Sequence, residues 1–221
     1  MGAKLVIAVD GPSGSGKSSA SRGAATALDL RYLDTGATYR ALTWWMLEHG
    51  VDVGDPAAVV ARLNQPRIEV GTDPDRPWTK VDGADVSQAI RTHEVTGAVS
   101  AVASVPEVRA HLIAMQRDII AQAEERSGGI VAEGRDIGTV VAPDADVKVF
   151  LTAGAAARAV RRAAQANWSE TATRSDQDRR DNLDAAQSGK AADAVEIDST
   201  ALSLNEVIDM IVRMATCRTS R

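Results

Sequence analysis

Two things are nearly missing from this 221-residue chain: cysteine and long apolar runs. The single cysteine, Cys217, excludes a disulfide within the chain and is typical of a reducing compartment. No stretch approaches the roughly 20 apolar residues that span a bilayer, and the apolar run at 5–9 is too short for a secretory signal. We therefore expect a cytoplasmic protein with no membrane partner.

The chain also has no excess of positive charge and few aromatic residues. The formal net charge is −5, and the chain has one Phe and two Tyr. Nucleic-acid-binding proteins present basic surfaces and stacking aromatics, so no nucleic-acid partner is expected. The three histidines, His49, His93 and His111, lie too far apart for metal-ligand spacing. Because the net charge is negative, any anion-binding site must be formed by a local group of residues and not by the charge of the whole protein.

Short apolar runs alternate with helical segments along the chain. Continuous rather than alternating hydrophobicity predicts parallel strands buried on both faces. These runs are 5–9, 32–33, 130–132, 147–151 and 195–197, and the predicted helices are 18–28, 39–48, 107–126, 155–166 and 203–216. Ser203 and Glu206 have the spacing of a capping box. This order predicts an α/β fold with a doubly wound parallel sheet, interrupted by a small antiparallel β insert at 67–83.

The segment Gly11-Pro12-Ser13-Gly14-Ser15-Gly16-Lys17-Ser18-Ser19 follows the first strand and carries the complete P-loop pattern. Glycines let backbone amides turn towards an anion, and the following helix adds its positive end. Lys17 would reach the β and γ phosphates of a nucleotide, and the Ser18 hydroxyl would hold Mg²⁺. The motif predicts nucleotide binding. It does not name the reaction, but no guanine-reading Asn-Lys-x-Asp is present, which favours a small kinase over a switch protein.

Polar residues also follow other strands. In "YLDTGATYRAL" the chain is expected to turn at Gly36 and to start a helix that carries Arg40, with Thr38 as a possible cap. Glu133, Arg135 and Asp136 come just after the strand at 130–132, where ligands of open α/β sheets bind. Ser100 is placed on one helix and Arg109 near the start of the next.

Two basic or polar stretches remain open to two interpretations. Residues 169–193 are almost wholly polar, which fits either a solvated linker or a mobile, arginine-rich lid. Arg158, Arg161 and Arg162 share one face of the predicted helix 155–166. That face is either solvated or binds an anion, because guanidinium groups bind phosphate oxygens in pairs.

The quoted motifs together resemble bacterial cytidylate kinase, the CMP/dCMP kinase family of P-loop nucleoside monophosphate kinases. The resemblance covers most of the chain and includes "IAVDGPSGSGKSS", "DTGATYR", "VSQAIRTHEV", "VPEVRAHL" and "GRDIGTVV". It implies a three-layered P-loop fold, and a monomer that uses ATP and Mg²⁺ to phosphorylate CMP and dCMP. It also implies one domain over 1–221. Within it, a core spans about 1–35, 127–153 and 194–221, a monophosphate-binding part spans about 36–126, and a lid spans about 154–193.

The resemblance further implies a role for individual residues. Lys17, Arg158, Arg162 and Arg180 would be catalytic, and Ser18 would hold the metal. Arg40, Arg135 and Arg180 would bind the acceptor phosphate, Asp184 the sugar, and Thr35, Ser100, Arg109 and Asp136 the cytosine. Asp136 can accept from the cytosine amine, while Ser100 and Arg109 can donate to N3 and O2. Uracil would leave such buried groups unpaired, which costs roughly 1–3 kcal/mol each.

The chain departs from the family pattern at one place. Arg180 and Asp184 are followed by Gln187, where the family usually has another arginine. Two alternatives therefore stay open beside the CMP kinase: a P-loop kinase for another small acceptor such as UMP or shikimate, and a regulatory module that binds nucleotide without turnover.

Overall fold

The computed structural model describes residues 4–166 and 189–219, and within them a central parallel sheet carries helices on both faces. The first half contains β1 (Leu5–Asp10), α1 (Lys17–Ala27), β2 (Arg31–Asp34), α2 (Thr35–Glu48), α3 (Pro56–Arg62), β3 (Ile68–Val70), β4 (Thr79–Val81) and β5 (Ala84–Asp85). The second half contains α4 (His93–Ala103), α5 (Pro106–Ser127), β6 (Gly129–Gly134), β7 (Val147–Thr152), α6 (Ala155–Ala166), β8 (Val195–Asp198) and α7 (Leu204–Thr219). A 3₁₀ turn, Ala89–Arg91, precedes α4, and a π-helical turn, Ile137–Val141, follows β6.

The five-stranded sheet has the order β2-β6-β1-β7-β8, and every neighbouring pair is parallel. Strand β1 is buried along its whole length, and its side chains alternate between two hydrophobic clusters. Ile7 packs with α1 and α7 on one face, whereas Ala8 packs with α5 on the other. Ile7 has no exposed surface, so its replacement by Ala would cost about 2–5 kcal/mol. The predicted α/β fold with a doubly wound parallel sheet and three layers is confirmed.

A third hydrophobic cluster lies beside the sheet and supports the residues between β2 and α5. Helices α2, α3 and α4 contribute Met46, Val59 and Val102, each without exposed surface, and Val81 of β4 joins them. Strands β3, β4 and β5 form an antiparallel sheet, which confirms the predicted β insert and extends it two residues past Gly83. This cluster gives the insert a core of its own next to the main sheet.

Helix α2 begins earlier than the sequence predicted. Its first residue is Thr35, because the Asp34 carboxylate accepts from the Ala37 amide at 3.0 Å and caps the helix. The expected turn at Gly36 and cap at Thr38 are therefore wrong. Gly36 lies in the first helical turn, and the Thr38 hydroxyl donates to the Thr35 carbonyl inside the helix.

The ends of two other helices follow local capping chemistry. The capping box before α7 is confirmed: the Ser203 amide donates to Glu206 at 2.8 Å, and the Glu206 amide donates to the Ser203 hydroxyl at 3.3 Å. Helix α3 was not predicted, although Asp55 caps it and Pro56 is its first residue.

Within the described ranges no single helix is long and apolar enough to cross a membrane. Helices α4 and α5 meet that test only together, with a 101° bend between them.

Candidate active site

The loop between β1 and α1 leaves backbone amides available to an anion. Gly16 precedes α1 at φ 94°, and no side chain caps the first turn of the helix. Gly11 has φ 144°, and a Cβ there would lie 2.1 Å from the Leu151 carbonyl oxygen, so only glycine fits. The uncapped amides and the positive end of α1 therefore meet at this loop.

The residues of the predicted P-loop divide between lining the site and shaping the loop. Those that line the cavity are Ser13, Gly14, Gly16, Lys17, Ser18 and Ser19. Pro12 and Ser15 shape the loop through their carbonyls. The Ser15 carbonyl accepts from the Ser199 hydroxyl at 3.0 Å, and Ser199 also donates to Thr152 at 2.9 Å. The end of β8 thus holds the loop against the end of β7.

Lys17 lies buried at the centre of the loop. Its ammonium donates to the Pro12 carbonyl at 2.7 Å. Burial, followed by the charge of Arg135, lowers the pKa of Lys17 to about 7, although nearby Glu133 and Asp10 favour its protonated form. An anion in the loop would stabilise the protonated ammonium and raise this pKa.

Asp10, at the end of β1, holds the loop after β6 in place. Its two carboxylate oxygens accept from the Ile137 and Gly138 amides, both at 2.8 Å. Burial raises the pKa of Asp10, while the two amides act in the opposite direction. Because Arg135 and Asp136 lie between β6 and this anchored turn, Asp10 fixes their position.

Glu133, on β6 beside the end of β1, is buried between the phosphate loop and β2. The Tyr32 hydroxyl donates to its Oε1 at 2.5 Å, and the Ser18 hydroxyl also donates to the carboxylate. Burial, together with the charge of Asp34, raises the pKa of Glu133. Burial and the charge of Glu133 raise the pKa of Tyr32 well above its usual value, so the phenol stays a donor.

A cavity of about 690 Å³ runs from the phosphate loop into the space between the sheet edge and the insert. Lys17 and Ser18 line one end of the cavity, and Ser100, Arg109 and Asp136 line another part of its wall. Arg109 and Asp136 form a short ion pair, with side chains that are 20% and 8% exposed. This pair presents both a donor and an acceptor within a largely buried pocket.

Arginines with anchored side chains line the same cavity. The Arg40 guanidinium donates to the Asp34 carboxylate at 2.7 Å, and Arg91 lies 3.5 Å from the same oxygen. Burial alone would raise the pKa of Asp34, but the charges of Arg40 and Arg91 outweigh it and lower the pKa. The Arg135 guanidinium donates to the Gly11 carbonyl at 2.5 Å, and the Thr35 hydroxyl donates to the Glu133 carbonyl at 2.7 Å.

Helix α6 brings two of the three predicted arginines to the phosphate loop. Arg158 donates to the Ser13 carbonyl at 3.2 Å, and Arg161 donates to the Ser15 carbonyl at 3.4 Å and to the Ser199 carbonyl at 2.7 Å. The interpretation of a solvated basic face is therefore wrong for these two residues. The side chain of Arg162, and all of Arg180, Asp184 and Gln187, lie outside the described residues.

The oxygen donors near the phosphate loop suit a hard cation that is shared with phosphate. The Ser18 hydroxyl and the Glu133 carboxylate are in direct contact, and Mg²⁺ prefers such oxygen ligands. In residues 4–166 and 189–219 no three His, Cys, Asp or Glu side chains are grouped so that they could hold a metal ion. A site of this kind takes its remaining ligands from substrate phosphates and water.

Sequence reasoning missed Asp10, Tyr32, Asp34 and Arg91, and it did not connect Ser199 with the phosphate loop. Asp10 and Asp34 carried a usable signal, because each is the last residue of a parallel strand, at the sheet edge where ligands bind. Tyr32, Arg91 and Ser199 carried no local signal, since their partners are distant in sequence.

Residues 7–217 match the family model for cytidylate kinase. The cytidylate kinase of Streptomyces griseus subsp. griseus is 53% identical over 215 residues, which cover 95% of this chain and 92% of that protein. The cytidylate kinase of Nocardia farcinica is 51% identical, with 95% and 93% covered.

Solved structures show the same fold at low identity. TT1252 from Thermus thermophilus has a TM-score of 0.52 at 13% identity, and 97% of each chain is covered. A gluconokinase from Sinorhizobium meliloti has a TM-score of 0.50 at 15% identity, covering 100% of this chain and 96% of that one.

Proposed function

This chain belongs to the cytidylate kinase family, and from that premise we propose that it transfers a phosphoryl group from ATP to CMP or dCMP, giving CDP or dCDP and ADP. One observation carries the proposal. A single cavity joins the phosphate loop, at Lys17 and Ser18, to the pocket formed by Ser100, Arg109 and Asp136. A donor and an acceptor that both enter this cavity meet without crossing bulk water, which keeps water from competing as the acceptor.

On the donor side, the uncapped amides of α1 and the Lys17 ammonium bind the ATP phosphates. Arg158, which contacts the loop at the Ser13 carbonyl, adds positive charge where charge develops during transfer. Arg162 and Arg180 are proposed for the same task from the sequence alone. When bound, Mg²⁺ would neutralise charge on the β and γ phosphate oxygens, and Ser18 and Glu133 are the residues that would hold it.

On the acceptor side, Arg40 and Arg135 bind the phosphate of CMP. A phosphate monoester has a second pKa of about 6, so the attacking oxygen is already ionised at neutral pH and needs no general base. The site therefore acts by alignment and charge neutralisation. Arg180 and Asp184 are proposed, from the sequence alone, for the acceptor phosphate and the sugar.

The cytosine pocket is proposed to read the Watson–Crick edge of the base. Asp136 accepts from the exocyclic amine, and Ser100 and Arg109 donate to N3 and O2. Uracil has a carbonyl in place of that amine, so it would place an acceptor against the Asp136 carboxylate. Thr35, next to Glu133 at the sheet edge, completes the proposed wall. That the enzyme works as a monomer in the cytoplasm stays a prediction of the sequence.

A coupled assay of ADP release with MgATP tests the function directly. CMP, dCMP, UMP, AMP and shikimate are compared as acceptors, with a reaction lacking any acceptor as the control. We expect strong turnover with CMP and dCMP only. Faster turnover with UMP or shikimate would assign a different acceptor, and ATP binding without acceptor-dependent ADP release would favour a regulatory module. No finding from the comparisons favours either alternative.

A further inference from the structure

We propose that Arg91 is a further ligand of the acceptor phosphate, held ready by the carboxylate of Asp34. The proposal rests on the function proposed above and adds a residue to the same acceptor site. Arg91 reaches this site from the 3₁₀ turn before α4, whereas Arg40 and Arg135 reach it from α2 and from the loop after β6.

The backbone at Arg91 is fixed although its side chain reaches into the cavity. Arg91 ends the 3₁₀ turn, where its amide donates to the Gln88 carbonyl at 3.0 Å. The preceding Ile90 is buried in the third hydrophobic cluster, beside the sheet, and the following Thr92 caps α4. The Arg91 side chain lines the cavity and is 54% exposed. An anchored backbone with an accessible guanidinium is the arrangement that a ligand contact needs.

Two guanidinium groups share one carboxylate oxygen at this point. Oδ2 of Asp34 accepts from Arg40 at 2.7 Å and from Arg91 at 3.5 Å, while Oδ1 accepts from the Ala37 amide at 3.0 Å. One negative charge therefore faces two positive charges and the positive end of α2. The place where Arg40 and Arg91 meet keeps a positive surplus that a phosphate dianion would neutralise.

The contact with Asp34 is too weak for Arg91 to be explained as a residue that stabilises the fold. It is long, and its arginine is more than half exposed, so it contributes little to the stability of the fold. Basic side chains outnumber acidic ones around the whole cavity. A guanidinium fork placed in such surroundings matches the paired oxygens of a phosphate.

Measuring the affinities for CMP and for cytidine, both without ATP, distinguishes the loss of a phosphate contact from a structural effect of the substitution. Cytidine has the base and sugar of CMP but no phosphate. We expect Arg91→Gln to weaken CMP binding about tenfold to a hundredfold, the range for losing a hydrogen bond to a charged group, and to leave cytidine binding within about twofold. Arg91→Lys, which keeps the charge but loses the fork, should restore part of the CMP affinity.

Arg67→Gln is the matched control, because Arg67, at the start of the β insert, is also an arginine beside a carboxylate, but it is 79% exposed and does not line the cavity. It should bind both ligands like the wild type. The inference is wrong if Arg91→Gln weakens CMP less than about threefold, or weakens cytidine as much as CMP. If the wild-type protein binds CMP no more tightly than cytidine, the proposed function itself is wrong, and the inference is wrong with it.

Discussion

The donor and acceptor sides of the cavity hold their charged groups in different ways. On the donor side, Lys17 is bonded to a neutral carbonyl of its own loop. On the acceptor side, Arg40 and Arg109 are paired with carboxylates, Asp34 and Asp136. The donor side thus presents an ammonium to phosphate oxygens, whereas the acceptor side also places a donor and an acceptor, Arg109 and Asp136, in a fixed pair that can distinguish one base from another.

The largest effect should come from removing the donor-side cation. We expect Lys17→Ala to lower kcat by about a hundredfold to a thousandfold or more, because the charge that stabilises the transferring phosphoryl group is lost. CMP affinity should stay near that of the wild type, since the acceptor pairs are untouched. Steady-state kinetics and calorimetry measure the two quantities.

Lys4→Ala serves as the control for the Lys17 variant, because Lys4 is an exposed lysine that precedes β1 and does not line the cavity. It should keep full turnover. If Lys17→Ala lost CMP affinity as severely as turnover, Lys17 would also support the acceptor side, and the two sides of the cavity would not bind their ligands independently.

A smaller effect, on selectivity, should come from the acceptor side. We expect Asp136→Ala to raise the KM for CMP about tenfold or more and to lower the CMP/UMP ratio of kcat/KM, because the acceptor for the amine and the ion pair with Arg109 are both lost. Asp136→Asn keeps the shape of the side chain and should also lower the ratio. Asp144→Ala changes an exposed aspartate between the π turn and β7 and is the matched control. An unchanged CMP/UMP ratio in the Asp136 variants would contradict the assignment of the pocket.

The same contrast explains which parts of the site the sequence could predict. The phosphate loop is one continuous segment, so its glycines, Lys17 and Ser18 could be recognised from their spacing alone. The acceptor pocket joins Arg40, Arg91 and Asp136 from three separate elements, and their pairing depends on the tertiary fold. The roles of Arg40 and Asp136 could be proposed only through a family resemblance, and Arg91, with its contact to Asp34, could not be foreseen.

The fold was predictable for a related reason. Strands such as β1 are buried on both faces, so their hydrophobicity is continuous and easy to recognise. Helix boundaries depended on single side chains instead. Asp34 starts α2 four residues before the predicted position, because its carboxylate both caps the helix and pairs with Arg40. An aspartate that ends a strand and also starts a helix gives no separate signal for each role.

The smallest effect should be a difference in proton uptake between the two sides. The pKa of Lys17 is lowered to about 7 in the empty cavity, so at pH 8 most of the free protein has a neutral amine. Bound ATP raises this pKa, so ATP binding at pH 8 should take up close to one proton, and the uptake through Lys17 should vanish towards pH 6, where the amine is already charged. CMP binding at pH 8 should take up almost no protons, because arginines do not titrate there and the phosphate is already a dianion.

Calorimetry in two buffers of different ionisation enthalpy measures the uptake, and Lys17→Arg, which cannot lose its proton, provides the baseline at each pH. Equal uptake by the wild type and Lys17→Arg at pH 8 would show that Lys17 is already charged before ATP binds, and the predicted difference in proton uptake between the two sides would then be wrong.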